Sequence, residues 1–466
     1  MSQGDNHFPE FAAKMRAAGL SEAAIRAFKH SYTSLVAGQA GMIAEASIQP
    51  VTDLPQLQQI ERNKPLNPLL LSQTVIIKLN GGLGTSMGLE RAKSLLPVKD
   101  GLTFLDFIVK QVLHARNAHR TALHFLLMNS FSTSQDTLAA LQKYPELGES
   151  ESLEMMQSQA PKVDAKTLRP ISWPENPQLE WCPPGHGDLY PSLLGSGWLD
   201  RLLAEGVNFL FVSNSDNLGA TLDLNLLNYF AESAKPFLME VAERTASDRK
   251  GGHLSQRNGK LLLRESAQCP ESDQPAFQDI RRHRFFNTNS LWIRLDHLKT
   301  LLDQHGGFVP LPLIKNAKTV DPRNKNSPAV FQLETAMGAA IECFEDAGAV
   351  VVPRTRFAPV KTTSDLLALR SDAYDVAQDS SLVLANPGGQ PPTIDLDPNH
   401  YKLVEQLDEK LRGGVPSLKD CSALSVCGPV SFSSGNIFRG KVTITNDSSE
   451  PRPLPPGDYA NSAIAL

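Results

Sequence analysis

The chain has 466 residues, more than one hydrophobic core comfortably supports, so we expect two or three domains. Its 41% hydrophobic and 20% charged residues are typical of a soluble globular protein, and its net charge of −5 argues against nucleic-acid binding. No apolar run reaches the ~20 residues that cross a bilayer, and the polar N-terminus lacks a signal-peptide core. Five scattered cysteines predict reduced thiols in a cytoplasmic protein without a membrane partner.

The first part of the chain has the apolar spacing of amphipathic helices. From about Phe8 to Ile48, apolar residues such as Phe11, Met15 and Phe28 recur at helical intervals among many alanines. We therefore predict a helical N-terminal segment over residues 1–65.

Strand and helix patterns alternate over residues 66–380, where we place the main domain. Thr103 and Asp106 have the spacing of a helix capping box, and Asn258-Gly259 is typical of a tight hairpin turn. The alternation predicts a mostly parallel sheet with helices on both faces, to which the hairpin is an antiparallel addition. The other predicted elements are the strands Val75–Leu79, Leu123–Met128, Asn208–Ser213, Phe237–Val241 and Ser290–Leu295, and the helices Ser192–Leu203 and Asp223–Ala234.

The last part of the chain, residues 381–466, changes its period. Similar residues recur there every six positions, and such a repeat is typical of a parallel β-helix. An antiparallel meander is the alternative, because little more than one coil is visible. The two series in step are Val426, Phe432, Phe438 and Ile444, and Leu424, Val430, Asn436 and Val442.

A glycine-rich segment follows the first predicted strand. The chain reads KLNGGLGTSMG over residues 78–88, and Lys93 comes five residues later. Glycine lets backbone N–H groups approach a ligand closely, and successive N–H groups with a nearby lysine attract an anion. The spacing fits neither a P-loop nor a dinucleotide-binding fingerprint, which has one residue fewer before Gly88. The segment therefore predicts a phosphate site.

Further motifs follow in order along the chain. Any one of them is weak evidence, but their order and separation are specific. Together with the glycine loop, they resemble the eukaryotic-type UTP–glucose-1-phosphate uridylyltransferase (UDPGP) family from about Leu70 to the C-terminus. The motifs are MQS at 156–158, PPGHGD at 183–188, FVSNSDNLGA at 211–220, FNTNSLW at 286–292, QLETA at 332–336 and RFAPVKTTSDL at 356–366.

The resemblance implies a fold and a reaction. The fold would be an α/β nucleotidyltransferase, Rossmann-like and GT-A-like, with a mixed sheet flanked by helices and a small C-terminal left-handed parallel β-helix. The reaction would make UDP-glucose and pyrophosphate from UTP and glucose 1-phosphate, with Mg²⁺ as cofactor. The sugar phosphate would attack the α-phosphorus in line, so charge neutralisation and alignment matter more than a covalent nucleophile.

The nucleotide-binding candidates lie in the glycine loop and in later motifs. Lys93 would neutralise the β- and γ-phosphates, and Lys361 would reach the reacting phosphates. Asp216 follows a predicted strand end, where α/β sheets bind ligands, and its carboxylate suits Mg²⁺. By resemblance, Gln157 reads uracil and Gly185 packs against the base. The remaining nucleotide candidates are Leu79, Asn80, Gly81 and Gly82.

The sugar-phosphate candidates include His186, which the resemblance places near the phosphate. Softer candidates for the glucose hydroxyls are Asn287, Asn289 and Glu240. Asp216 and two neighbours on the same turn, Asn214 and Ser215, complete the substrate-binding set.

Several alternatives stay open at this point. A broader UDP-sugar or UDP-N-acetylhexosamine pyrophosphorylase shares the class, and a non-catalytic nucleotide-binding scaffold or an NAD-dependent oxidoreductase lies outside it. Asp216 and Asn217 would also serve as the cap of a following helix. A homo-oligomer built through the C-terminal segment is a further hypothesis, which the sequence does not decide.

Overall fold

The computed structural model describes residues 7–39, 41–60, 66–245, 248–386 and 389–466. A ten-stranded mixed sheet forms its centre. Six of its strands position the candidate site: β1 (Thr74–Asn80), β2 (His124–Asn129), β3 (Phe209–Asn214), β4 (Phe237–Glu243), β5 (Phe285–Arg294) and β6 (Gly348–Val351). The other four are Gln49–Pro50, Glu154–Met156, His253–Arg257 and Lys260–Arg264.

Of the pairings between the described strands of this sheet, four are parallel and five are antiparallel. β1 is parallel to both β2 and β3, and β2 is parallel to Glu154–Met156. β5 is antiparallel to β3 and to β4, while β4 is parallel to β6. The prediction of a mostly parallel sheet is therefore wrong, because β5 lies reversed between β3 and β4. The predicted hairpin is confirmed, with Asn258 and Gly259 both at positive φ between two paired strands.

The predicted strands are confirmed to within a few residues, except that β5 begins five residues earlier. Alternate side chains of β1 enter apolar clusters on opposite faces of the sheet: Ile76 joins one, and Val75 and Ile77 join the other. Helices cover both faces. They are Phe8–Ala17, Glu22–Val36, Leu57–Ile60, Phe104–His119, Ser134–Leu141, Leu189–Gly195, Trp198–Ala204, Leu224–Ser233, Gln274–Phe277, Leu295–Gln304, Thr363–Arg370, Pro398–Tyr401 and Val404–Lys410.

Local signals explain where several helices begin and end. The Thr103–Asp106 capping box is confirmed at the start of Phe104–His119. The helix predicted over Ser192–Leu203 is two helices instead, because the chain takes a left-handed conformation at Gly197. None of the helices in the described ranges is both long and apolar enough to cross a membrane.

The first two helices pack against each other and against a smaller three-stranded sheet. Phe11 contacts Phe28 and Tyr32, with ring centroids 5.1 and 4.8 Å apart. The same apolar cluster includes Val163 and Leu333 from that sheet, so the two helices pack against the rest of the protein. Small strands elsewhere are Pro97–Lys99, Leu102–Thr103, Ala160–Pro161, Val163–Asp164, Trp181–Cys182, Ile314–Thr319, Ala329–Glu334, Tyr374–Val376 and Leu382–Leu384.

The C-terminal strands stack in parallel. β7 (Ser417–Cys427) pairs with β8 (Asn436–Thr445), and all pairings between the strands described after residue 389 are parallel. The antiparallel meander is therefore wrong. The further strands are Thr393–Leu396, Val430–Ser431, Arg452–Pro453, Gly457–Ala460 and Ala463–Ala465.

Candidate active site

The glycine loop leaves the carboxyl end of β1 and turns beside Lys93. In the described part of the chain, the N–H groups of Gly81, Gly82, Leu83 and Gly84 donate to no protein acceptor. A Cβ atom at Gly82 would meet nothing within 4 Å, so the loop borders open space. Gly82 O accepts the Lys93 N–H at 3.1 Å, which fixes the lysine beside the free N–H groups. The loop can therefore hold an anion.

Two lysines that are distant in sequence converge on one carboxylate. Lys93 Nζ donates to Asp216 Oδ2 at 2.8 Å, and Lys361 Nζ donates to the same atom at 3.0 Å. Burial would raise the pKa of Asp216, but the charges of Lys361 and Lys93 outweigh it and hold that pKa below its usual range. The cluster thus has one ionised carboxylate between two cations.

Backbone contacts hold the segment before Lys361 against Asp216. Val360 N–H donates to Asp216 O at 3.1 Å, and Asn217 Oδ1 accepts the Ala358 N–H at 3.0 Å. Asp216 and Asn217 lie in a turn and begin no helix, so the helix-cap alternative is wrong. The turn instead binds the segment 358–360, which lies about 140 residues later in the chain.

A buried ion pair supports this junction. Arg356 donates from Nε to Glu240 Oε2 and from a terminal nitrogen to Oε1, both at 2.9 Å. Trp292 Nε1 also donates to Oε1 at 2.9 Å, and Glu240 has no exposed surface. The prediction that Glu240 contacts a sugar hydroxyl is therefore wrong, because both of its oxygens already serve the fold.

The side-chain amide of Gln157 lies between two glycines. Its Nε2 donates to Gly185 O at 3.0 Å, and because a carbonyl only accepts, this bond assigns the amide orientation. Its Oε1 lies 2.5 Å from where a Cβ at Gly81 would stand. Gly185 has φ +80°, and a Cβ there would lie 2.4 Å from Thr335 O. Gln157 therefore turns an acceptor toward the glycine loop.

The imidazole of His186 is held in one tautomer. Its Nδ1 accepts the Met337 N–H at 3.0 Å, so in the neutral ring the proton is assigned to Nε2. Burial, together with the nearby charge of Lys361, lowers the pKa of His186 to about 4. At neutral pH the ring is therefore an uncharged donor.

The remaining substrate candidates form a chain of polar contacts. Asn289, at φ +62°, donates from Nδ2 to Asn214 Oδ1 at 3.2 Å, and its N–H donates to Asn287 Oδ1 at 2.9 Å. Ser215 Oγ lies 3.4 Å from Asn80 Oδ1. The Asn80 side chain is buried, so only its backbone is placed to serve a nucleotide.

Most of the candidates line one cavity of about 290 Å³. Asn80, Asn289 and Lys361 are outside its wall, although Asn289 and Lys361 contact residues in it. The lining consists of Leu79, Gly81, Gly82, Lys93, Met128, Gln157, Pro183, Gly185, His186, Asn214, Ser215 and Asp216.

The sequence analysis did not identify two residues that lie in or near the site. Met128 lines the cavity and stands near the end of a predicted strand, a position that could have identified it. Burial raises the pKa of Glu265, whose Oε2 lies 2.5 Å from where a Cβ at Gly252 would stand. Gly252 O in turn accepts the Asn287 N–H at 3.4 Å. Glu265 belongs to none of the motifs, so only the fold brings it beside Gly252.

The residues at Asp216 fit a hard divalent cation. Its Oδ1 atom is buried and accepts no hydrogen bond from the described residues. Those residues include no group of three or more His, Cys, Asp and Glu side chains that would hold a metal alone. Mg²⁺ commonly takes one or two carboxylates and completes its shell with phosphate oxygens and water. The arrangement therefore suits Mg²⁺ that binds together with a phosphate substrate.

These features define an α/β protein in which two lysines and an aspartate meet at the carboxyl edge of the sheet, an arrangement that suits a phosphorylated ligand. A family model described as UTP–glucose-1-phosphate uridylyltransferase matches residues 25–439. The chain belongs to this family.

Individual relatives cover nearly the whole chain. The UTP–glucose-1-phosphate uridylyltransferase of Solanum tuberosum is 39% identical over 431 residues, which are 91% of this chain and 88% of that protein. A variant of UDP-glucose pyrophosphorylase from Leishmania major, solved in complex with UDP-glucose, is 47% identical with a TM-score of 0.93, covering 99% of this chain and 100% of that one. The Trypanosoma brucei structure named UDP-glucose phosphorylase is 48% identical with a TM-score of 0.91, covering 99% of both chains.

Proposed function

We infer that this protein transfers UMP from UTP to glucose 1-phosphate and releases pyrophosphate. The observation that carries this proposal is the convergence of Lys93 and Lys361 on Asp216, beside the free N–H groups of the glycine loop. Both substrates are polyanions, so a site that neutralises phosphates and aligns an in-line displacement is what the reaction requires. The family membership and the names of the relatives support the same activity.

The phosphate roles follow from position. The N–H groups of Gly81 and Gly82 with the Lys93 ammonium bind the triphosphate, and Lys361 stabilises the charge that develops as the bond to pyrophosphate breaks. Asp216 would hold Mg²⁺ through its unpartnered Oδ1. When bound, Mg²⁺ neutralises phosphate oxygens and acts as a Lewis acid.

The uracil is recognised by the fixed amide of Gln157. Its Nε2 is committed to Gly185 O, so Oε1 is the atom that accepts the N3–H of uracil. Cytosine has an unprotonated N3 and would set acceptor against acceptor. The site therefore selects UTP over CTP through a polar mismatch, which discriminates more strongly than shape.

The sugar phosphate lies on the other side of the cavity. The Nε2–H of His186 donates to its phosphate, and Asn214, Ser215 and Asn289 contact the sugar. A broader UDP-sugar specificity is the second candidate, since these polar groups suit several hexoses.

Several properties of the whole protein belong to the same proposal. We propose three parts, residues 1–65, 66–380 and 381–466, the last a left-handed parallel β-helix whose support is the parallel pairing of its strands. A cytoplasmic location and a homo-oligomer also stay predictions.

The test is pyrophosphate release from UTP with glucose, galactose or N-acetylglucosamine 1-phosphate, with and without Mg²⁺. We expect release with glucose 1-phosphate and Mg²⁺, and its loss after chelation. Asp216→Ala should lower kcat about 10²–10³-fold. Asp303→Asn is the matched control, because this exposed carboxylate pairs with Lys299 at the surface.

Two other outcomes would change or overturn this proposal. Release with several sugar phosphates would shift the proposal to a broad UDP-sugar enzyme. UTP binding without release from any sugar phosphate would overturn the catalytic proposal and leave the nucleotide-binding scaffold.

A further inference from the structure

Asp188 makes an unusual contact for the residue that precedes a helix. It stands immediately before Leu189–Gly195, where an aspartate usually accepts an N–H from the first helical turn. Here its side chain makes no such cap. Instead, Asp188 Oδ2 accepts the Ser158 N–H at 2.7 Å and the Ser192 hydroxyl at 2.6 Å. Its carboxylate is thus directed at the peptide that follows Gln157.

This contact closes a ring between two recognition loops. Gln157 N–H donates to Asn129 O at 2.7 Å, and Gln157 Nε2 donates to Gly185 O at 3.0 Å. The Asp188 contact fixes the next peptide along the chain, so Gln157 is held from three directions. Asp188 also lies two residues after His186. One carboxylate therefore ties the base-reading amide to the loop that carries the phosphate donor.

The burial and charge of the Asp188 carboxylate indicate that its removal would weaken the contact with Ser158. Asp188 is 4% exposed, and no described lysine or arginine pairs with it. Burial raises the pKa of Asp188 to about 6, so it is ionised at neutral pH. Hydrogen bonds to an ionised acceptor are stronger than neutral ones. A small cavity between this loop and the N-terminal helices also borders the residue, so it is not rigidly packed on every side.

We propose that Asp188 is a positioning residue that sets the Gln157 amide for uracil, and thereby determines the preference for UTP over CTP. It touches no substrate itself. The inference rests on the proposed function, since it assumes that Gln157 reads the base.

The test is steady-state kinetics of Asp188→Ala and Asp188→Asn with UTP and CTP. In Asp188→Ala we expect KM for UTP to rise about 10- to 100-fold, the loss typical of a charged hydrogen bond. We expect kcat to stay within about threefold, because base contacts bind ground and transition states alike. The preference for UTP over CTP should fall. Asp188→Asn should lie between the wild type and Asp188→Ala, because its amide oxygen can accept both hydrogen bonds but carries no charge.

A second pair of variants tests the inference even if Asp188→Ala does not fold. Ser192→Ala removes one bond to Asp188 and should raise KM for UTP about two- to fivefold, with a smaller loss of selectivity. Ser196→Ala is the control, since its hydroxyl donates to Ser192 O and does not contact Asp188. Unchanged KM and selectivity in folded Asp188→Ala, or in Ser192→Ala if the first variant does not fold, would overturn the inference. Wild-type protein that released no pyrophosphate would contradict the proposed function instead.

Discussion

At the scale of single residues, the environment decides which chemistry a side chain can perform. His186 accepts a backbone N–H through Nδ1, and burial lowers its pKa to about 4. A lysine beside the ring makes protonation costlier still. The histidine is therefore suited to donate one neutral hydrogen bond, and unsuited to carry charge or to act as a general base at neutral pH.

Two substitutions separate the roles of its nitrogens. His186→Asn keeps an acceptor near the Nδ1 position and removes the distal donor, so we expect kcat/KM for glucose 1-phosphate to fall about 10- to 100-fold. His186→Gln supplies a neutral donor near Nε2, so we expect it to stay within about tenfold of the wild type. The measurement is a pH–rate profile of each enzyme.

The shape of those profiles checks the protonation state. Because the pKa of His186 is about 4, the wild type and His186→Gln should have the same profile above about pH 5. A wild-type limb near pH 6.5 that disappears in both variants would contradict a neutral His186.

At the scale of elements, the loops around the cavity use glycines in two different ways. A Cβ at Gly185 would meet Thr335 O at 2.4 Å, and its φ of +80° is strained for other residues. A Cβ at Gly82 would meet nothing within 4 Å. One glycine therefore lets two segments pack, whereas the other leaves room for a ligand.

This difference predicts that the same substitution lowers stability at Gly185 but not at Gly82, although both should weaken UTP binding. Gly185→Ala should lower the free energy of unfolding by about 1–3 kcal/mol and raise KM for UTP. Gly82→Ala should leave the melting temperature unchanged and still weaken UTP binding, since its methyl group occupies the space beside the free N–H groups. Thermal melts with and without UTP measure both. A Gly82→Ala protein that bound UTP normally would show that the phosphates lie elsewhere.

Patterns that are local in sequence were predictable from the chain. The capping box at Thr103, the hairpin at Asn258-Gly259 and the ends of β1 and β3 depend on residues a few positions apart. The reversed position of β5 was not predictable, because strand order depends on distant pairing. The contact of Lys361 with Asp216 joins residues 145 positions apart, and without the family resemblance nothing in either segment indicates it.

At the scale of the whole molecule, one apolar cluster links the main sheet to the C-terminal strands. It includes Phe211 of β3, Leu367 from Thr363–Arg370, and Phe438 of β8. Lys361 lies two residues before that helix, so the position of Lys361 depends on packing against the C-terminal part. Electrostatic interactions also connect distant parts of the protein, because the charged side chains of Lys78, Glu240 and Arg356 are buried close to the site.

The pKa of Lys78 provides a test of these buried electrostatic interactions. It is buried in β1, and its Nζ donates to Ser213 Oγ at 2.8 Å and to Ala220 O at 2.7 Å, on both sides of the turn that carries Asp216. Burial, and then the charge of Arg356, lowers its pKa from 10.5 to about 7, although Glu240 opposes the shift. Between these two values the unfolded chain binds more protons than the folded protein, so this group makes stability rise with pH across that window.

We therefore predict that Lys78→Met removes a specific part of the pH dependence of unfolding. From pH 7 to pH 10.5 the wild type should gain up to about 1.4 kcal/mol per pH unit relative to the variant, while below pH 7 the difference should be constant. Urea unfolding at a series of pH values measures this, with exposed Lys441→Met as the control, which should follow the wild type. Parallel curves for the wild type and Lys78→Met would mean that Lys78 stays charged in the folded protein, and that its cation adds to those of Lys93 and Lys361 near the phosphates.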